Sequence, residues 1–280
     1  MKRFDLHSHT HYSDGSLSPT KLVLKAKKIG LSGLALTDHD SIEGLFEAEK
    51  EAKKNNLQLI TGVEIQGLGT EILGYGFDKN DNYMQMFLEK QRLQRKKFIQ
   101  KKIDGLKEYG IEIDYKEVLK KSGIGQNPNS VNIAQVMVLK KYSEDIESAF
   151  QEYLRDIKVR LESPPTRTKR IIQVINDAGG KAVLPHPWYL KEHQKTDFEG
   201  LLIRLVKEGL AGIETNGYIP EKLIKHKNTI FMDKVKELTT KYELIETAGS
   251  DFHGNNLHEN NILGKYTVSQ KVVDKLTTTT

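Results

Sequence analysis

Cysteine is absent from this chain of 280 residues. That excludes disulfides, zinc ribbons, iron–sulfur clusters and thiol nucleophiles, so any metal must be held by nitrogen and oxygen. Long apolar runs are also missing; none approaches the ~18 residues a membrane-spanning helix needs. The opening MKRFDLHSHT lacks the apolar core of a signal peptide, and a cytoplasmic protein is expected. Nor does one sign of charge dominate. Lys and Arg number 43 against 38 Asp and Glu, a net of +5, too mild to imply nucleic acid by itself. With 37% hydrophobic and 29% charged residues, the composition is neither collagenous nor disordered. The length suits one large domain or two smaller ones.

What the chain does contain is alternation of short apolar runs with amphipathic helix patterns. Arg3 to Leu6, Gly33 to Thr37 and Leu57 to Ile65 read as strands, with Glu71 to Phe77 as a hairpin partner. Ser18-Pro19 opens a helix as N-cap and first helical residue, and Asp40 followed by Glu43 predicts a capping box for the next. Such strand–helix alternation implies parallel strands joined by crossover helices. From Asn80 to about Leu161 strand signals fade. Phe87 to Tyr109 predicts one long Lys-rich helix, followed by helices over Tyr115 to Lys121, Val131 to Lys141 and Ser143 to Asp156. Pro164-Pro165 marks a return to alternation: helices Thr168–Ala178, Phe198–Glu208 and Glu221–Tyr242, and strands Lys181–Leu184, Ala211–Thr215, Leu244–Ala248 and Ile262–Val268. About seven β/α units result. The expected architecture is an α/β barrel over 1–79 and 163–280 with a helical insert subdomain over 80–162.

The chemistry-bearing residues recur just past the C-terminal ends of predicted strands. They are His7, His9, His11 and Asp14 in HSHTHYSDG, Asp38 and His39 in TDHD, and Glu64 in GVEI. Later come His186 in LPHP, Glu214 and Asn216 in GIETN, and Asp251 and His253 in GSDFHG. In α/β barrels those ends converge on one face, where active sites form. His-x-His and Asp-x-His on extended chain place both side chains on one side, so each pair can grip an ion from a single strand. Imidazole with carboxylate suits Zn, Mn, Fe or Ni. A lone His after a strand is ordinarily a surface or satisfied core residue. Five coordinated placements with three carboxylates exceed what one ion needs, and Glu64 is the natural bridge between two. His193, His226 and His258 lie in polar context and read as solvated.

Other patterns carry less. GLGTEILGYG has glycines but no following helix, so it reads as a hairpin rather than a dinucleotide loop, and no serine sits in a G-x-S-x-G elbow. The basic run from Arg92 to Lys107 is a solvated helix face on the bland reading. The sharper reading makes it an electropositive ribbon over the site.

At these residues the chain resembles the PHP (polymerase and histidinol phosphatase) family, and within it the small bacterial metal-dependent phosphoesterases. DLHSHTHYSDG at Asp5 to Gly15 is similar to the family opening D-L-H-x-H-T-x-x-S-D-G. TDHD at Thr37 to Asp40, Gly62 and Glu64 of G-x-E, and AGG at Ala178 to Gly180 follow in order. Pro185-His186-Pro187 and G-S-D-x-H at Gly249 to His253 complete the set. The resemblance implies a distorted seven-stranded β/α (TIM-like) barrel holding two to three divalent ions of manganese, iron or zinc. It further implies that His7, His9, Glu64 and Asp251 surround one ion, that Asp14, His39 and His253 hold a second, and that Glu64 and His186 contribute to a third. Relatives place an Arg and a His in the insert where Ser130 and Asn132 stand. Asn132 is therefore a doubtful ligand, and a phosphate-clamping Arg is missing, with Lys140 or Arg167 as candidate substitutes.

The expected activity is hydrolysis of a phosphomonoester such as a nucleotide, or of the end of a short oligonucleotide, by metal-activated water. Asp38 is expected to orient a ligand from behind, and His11, with His193, is a candidate leaving-group acid. A small phosphorylated substrate is the expected partner, with no membrane and no stable protein partner. Two alternatives remain at this level: an amidohydrolase-type C–N hydrolase, and a catalytically impaired binding or regulatory protein, motivated by Ser130 and Asn132.

Overall fold

The computed structural model describes residues 2–125, 127–155, 157, 166–190, 192–219, 226–254 and 262–278. The chain begins with β1 (Phe4–Asp5), α1 (Pro19–Lys28), β2 (Gly33–Leu36), α2 (Glu43–Lys54), β3 (Gln58–Gln66) and β4 (Glu71–Tyr75). An all-helical stretch follows: α3 (Asn82–Leu106), α4 (Tyr115–Lys121), α5 (Ser130–Leu139) and α6 (Ile146–Ala149). The alternation resumes with α7 (Thr168–Asp177), β5 (Lys181–Leu184), α8 (Glu192–Thr196), α9 (Phe198–Lys207), β6 (Leu210–Gly217), α10 (His226–Lys241), β7 (Ile245–Gly249) and α11 (Gln270–Thr277).

The seven strands form one sheet in chain order. β1, β2 and β3 are parallel, as are β5, β6 and β7, while β4 runs antiparallel to both β3 and β5. The tight turn after β3 allows only a hairpin, which distorts an otherwise parallel barrel. Beyond β7 the chain returns to β1. Leu6 N–H donates to Ala248, Phe252 N–H donates to His7, and Ser8 bridges Phe252. A Cβ on Gly249 would collide with the backbone nitrogen and Cβ of His7, so only glycine lets this edge close. Phe4, Leu6, Ala35, Ile60, Leu73, Tyr75 and Val183 cluster inside the barrel, joined by Val273 and Leu276 of α11. A larger apolar layer lies between the sheet and the surrounding helices.

The helical stretch has its own core of Ile99, Ile103, Leu106, Val118, Ile133, Val136 and Met137. α3 links both cores: Met84, Phe87 and Leu88 near its start pack with the barrel's outer layer, and its later turns pack in the insert.

Several local expectations are corrected. Ser18 caps α1 as expected, accepting from Lys21 N–H. The Asp40–Glu43 capping box does not form: α2 starts after Ile42 with no side-chain cap, because the Asp40 carboxylate accepts instead from Gln66 N–H and from Arg95. Ser143–Asp156 is not one α-helix. Asp145 caps Ser148 N–H, α6 begins at Ile146, and a π-helical turn over Phe150–Leu154 follows. Among the described residues Ile262–Val268 makes no strand beyond a single Val268–Phe4 bridge, and α11, unforeseen, comes next. The predicted helix start at Glu221, His258 and Pro164-Pro165 lie outside the described residues.

Candidate metal centre

The site grows from the strand ends. β1 runs into His7 and His9, β2 into His39, β3 carries Glu64 near its end, β5 leads to His186, and β7 to Asp251 and His253. His186 and Asp251 sit at φ 28° and 54°, in or near the sparsely used left-handed region. These turns bend both side chains back over the barrel mouth.

Distances define the cluster. His7 Nε2 lies 3.3 Å from Glu64 Oε2 and 3.4 Å from Asp251 Oδ1, and His9 Nε2 lies 3.4 and 3.2 Å from the same two oxygens. Asp14 is 3.2 Å from His253 Nε2, 3.6 Å from His39 Nε2 and 3.8 Å from His9 Nδ1. His186 Nε2 is 2.9 Å from Glu64 Oε1. The donors fall into three overlapping groups: His7, His9, Glu64 and Asp251; His9, Asp14, His39 and His253; and His39, Glu64 and Glu71. Glu64 belongs to two of them, between the ring nitrogens of His7, His9, His39 and His186.

The donor set fits divalent ions. Both ring nitrogens of His9, and Nδ1 of His39, are buried without a hydrogen-bond partner, which costs free energy unless something else satisfies them. Asp14, Glu64, Glu71 and Asp251 are packed so closely that their mutual repulsion calls for compensating positive charge. Protons supply part of it without metal. Burial works against charging His253 and His186, yet the neighbouring Asp14, Asp251 and Glu64 raise them to about 10 and about 9. Burial and repulsion from His253 lower His9 to about 4. Burial would lift Asp14 and Glu64, but the imidazoles beside them hold both well below the usual carboxylate range. Coordination by metal would replace those protons.

A second layer orients the donors. Glu214, buried on β6, lies 3.2 Å from His7 Nδ1 through Oε1 and accepts His186 N–H at 2.8 Å through Oε2. A carboxylate on Nδ1–H leaves Nε2 free to face the cluster. Asp38 accepts from Thr10 N–H, Thr10 Oγ1 and Ser13 Oγ at 2.6–2.7 Å. It positions the loop that carries His9 and Asp14. Asp5 accepts from the N–H groups of His7, Ser250 and Gly264 and so joins both ends of the chain beneath the site; burial raises its carboxyl to about 6.

Other sequence candidates fall elsewhere. His11 stacks edge-on against Tyr12, and its carbonyl accepts from Gly125. His193 is exposed on α8. Asn132 is consumed by α5: its Oδ1 accepts Asn129 N–H and its Nδ2 donates to Lys121. It caps a helix rather than facing the donors. Asn129 is the amide that reaches the cluster, donating to Asp14 Oδ2 at 2.7 Å. Lys140 pairs with Glu117, and Arg167 is exposed before α7. Ser130 meets instead a cation from α3, Lys102 Nζ at 3.2 Å.

Glu71 is a donor that sequence reasoning passed over; Glu214, named there only as a strand-end residue, is the support of His7 and His186. A signal for Glu71 existed. Glu64 pairs with Leu73 across the hairpin, and Glu71, two residues before the interior Leu73, shares its face by the period of two. Glu71 lies 3.8 Å from His39 and 3.6 Å from His186.

A model of the PHP domain matches residues 5–162. The chain belongs to the PHP domain family. This PHP protein is 37% identical over 195 residues to a 5'-3' exoribonuclease of Haemophilus influenzae, covering 66% of the chain and 69% of that relative. It is 28% identical over 258 residues to a 3',5'-nucleoside bisphosphate phosphatase of Chromobacterium violaceum, covering 90% and 88%. A solved structure from Bifidobacterium adolescentis, described as a metal-dependent phosphoesterase, superimposes with a TM-score of 0.81 at 24% identity, covering 98% of this chain and 94% of that one. That likeness speaks for the fold. No helix among the described residues is long and apolar enough to cross a membrane.

Proposed function

We propose that this PHP protein is a metal-dependent phosphoesterase acting on a nucleotide-type phosphate ester or on the end of a short oligonucleotide. The observation that carries this reading is the convergence of five imidazoles and four carboxylates, with orphaned buried ring nitrogens, at the mouth of one barrel. His7, His9, Glu64 and Asp251 would hold one ion, and Asp14, His39 and His253, with His9 on the boundary, a second. Glu71 with Glu64, His39 and His186 offers a third, weaker place to which Asn132, engaged in capping, does not contribute. Manganese, iron and zinc suit this mixed set. Bound divalent ions supply Lewis acidity toward phosphoryl oxygens and acidify water for in-line attack.

The chain's own residues bind and orient. Glu214 and Asp38 hold the donors in place, as described. Beside the cluster lies a cleft of about 330 Å³ walled by Glu71, His186, Tyr189, Gln66 and Gly67, where a phosphate ester reaches the donors from solvent. No side chain in this arrangement is built as a nucleophile. The relatives named above as an exoribonuclease and a bisphosphate phosphatase support nucleotide-type substrates.

The test is turnover of a panel of nucleotides, short oligoribonucleotides, amides and lactones by protein reconstituted with manganese, zinc or iron. Metal-dependent release of phosphate or nucleotide, abolished by His7→Ala and by Asp251→Ala, is expected. Turnover that survives both substitutions, or is confined to amides and lactones, refutes the assignment.

A further inference from the structure

The stretch between α4 and α5 carries the insert to the barrel mouth. Gly125 N–H donates to the His11 carbonyl, and Asn127 Nδ2 donates to the His39 carbonyl. The approach is close. A Cβ on Gly123 would overlap the His11 carbonyl, and one on Gly125 would overlap that of Tyr12, so the chain needs glycine at both places. The loop after β1, with His9 and Asp14, and the loop after β2, with His39, are thus both held against the insert.

Asn129 ends this stretch and meets a metal donor directly. As N-cap of α5 it accepts Asn132 N–H at 3.0 Å, and its own N–H donates to Asn132 Oδ1 at 2.9 Å, a reciprocal capping box. A backbone N–H can only donate, so the Asn129 oxygen must face it and the amide NH₂ points the other way. That NH₂ donates to Asp14 Oδ2 at 2.7 Å. One side chain therefore spans from the first turn of a helix to the metal centre.

Asp14 needs such a support. It lies in a turn rather than on a strand, so no sheet register fixes its carboxylate. Its Oδ1 is turned toward His253 Nε2 at 3.2 Å and His9 Nδ1 at 3.8 Å. Ser13 Oγ lies 3.3 Å from the same Oδ1, but its single proton goes to Asp38 at 2.7 Å. His9, His39 and His253 are donors of the same group, so they compete with Asp14 for position rather than anchor it. The Asn129 amide holds Oδ2 from outside the group and keeps Oδ1 on the donor side.

On the metal assignment proposed above, we infer that Asn129 is a positioning residue for the ion held by Asp14, His39 and His253. It also ties occupancy of that ion to the first turn of α5. Coupling of this kind is reciprocal: whatever α5 contributes to the ion, the ion returns to α5. The insert thus serves the metal centre through Asn129, the residue that caps α5, and not through Asn132.

The experiment reads metal binding and helix protection without turnover. Full-length protein is titrated with zinc against a competing chelator, and amide hydrogen exchange is followed by mass spectrometry with and without zinc. Asp14→Ala identifies the binding step that depends on Asp14. Asn129→Ser keeps an N-cap oxygen for Asn132 N–H and removes the donor to Asp14. It is expected to weaken the same step by about tenfold or more, the scale of a support behind a ligand. The other steps should stay within about twofold, and the melting temperature of metal-free protein should stay near wild type. Zinc should slow exchange in the first turn of α5 in wild type, and Asn129→Ser should lose most of that protection. Asn129→Ala removes cap and donor together and should lower the metal-free melting temperature as well. A residue that only caps a helix gives another pattern: Asn129→Ser then binds every ion as wild type does, and Asn129→Ala loses stability alone. Unchanged affinity at the Asp14-dependent step in Asn129→Ser, or equal protection of α5 with and without zinc in wild type, overturns the inference while the metal assignment stands. Absence of any Asp14-dependent step overturns both.

Discussion

Glu214→Gln isolates what orientation contributes to the metal centre. The substitution keeps size and burial and changes only charge and hydrogen-bond polarity. Glu214 Oε2 accepts His186 N–H at 2.8 Å and Oε1 lies 3.2 Å from His7 Nδ1. Glutamine has one acceptor oxygen, and the backbone N–H of His186 claims it, because that group can only donate. The amide NH₂ then faces His7 Nδ1. Two donors cannot share that position, so the ring must present Nδ1 as an acceptor and carry its proton on Nε2. That is the atom 3.3 Å from Glu64 and 3.4 Å from Asp251, so the protonated nitrogen now faces the ion. Support of this kind contributes about 10- to 100-fold in metal affinity, or roughly 1.4–2.8 kcal/mol. Chelator competition should show that weakening in Glu214→Gln. Nitrogen NMR of the metal-free protein at a pH where His7 is neutral should show its tautomer reversed. Metal affinity equal to wild type, with the tautomer unchanged, would refute the argument that Glu214 sets the His7 ring.

Three further expectations follow from the charges around the site. In metal-free protein near pH 7.5, His186 and His253 are protonated, with pKa values raised to about 9 and about 10. Ligation requires them neutral, so metal binding releases protons and apparent affinity rises with pH until about 10; calorimetry in buffers of different ionisation enthalpy reads the number released, and proton uptake would contradict the assignment. Arg95→Ala leaves Asp40, whose side chain is 2% exposed, as an uncompensated buried charge, with a cost of about 3–5 kcal/mol; denaturant unfolding checks it, and a loss below about 1 kcal/mol would show the pair to be solvated. Lys140→Ala and Arg167→Ala should each leave hydrolysis within about twofold of wild type, since one side chain pairs with Glu117 and the other is exposed.

The ligand types and their strand-end positions were legible because the period of two is local. His7 with His9, and Asp251 with His253, had to share a side whatever the rest of the chain did. Glu71 was legible in principle by the same period, counted from Leu73, yet a carboxylate at the start of a hairpin strand resembles any solvated turn residue. Glu214 was visible at a strand end, but its role depends on two partners 207 and 28 residues away. Asn132 misled for a related reason: its carboxamide satisfies an α5 N-terminal N–H, a competition that position in the sequence does not reveal. The Asp40 cap failed likewise, because Arg95, 55 residues later, offers a stronger partner.

The sequence alone determined the chemistry available: nitrogen and oxygen donors, no thiol, and a set of imidazoles and carboxylates repeated at the ends of strands. It determined most elements too, since hydrophobic periodicity and caps act over a few residues. Only the tertiary structure decided which donors meet, that β4 inverts to bring Glu71 inward, and that α3 buries Lys102 while Lys97 and Lys101 of the same helix are exposed. Those outcomes depend on contacts between residues far apart in the chain, whose energies appear only when the barrel closes and the insert packs against it.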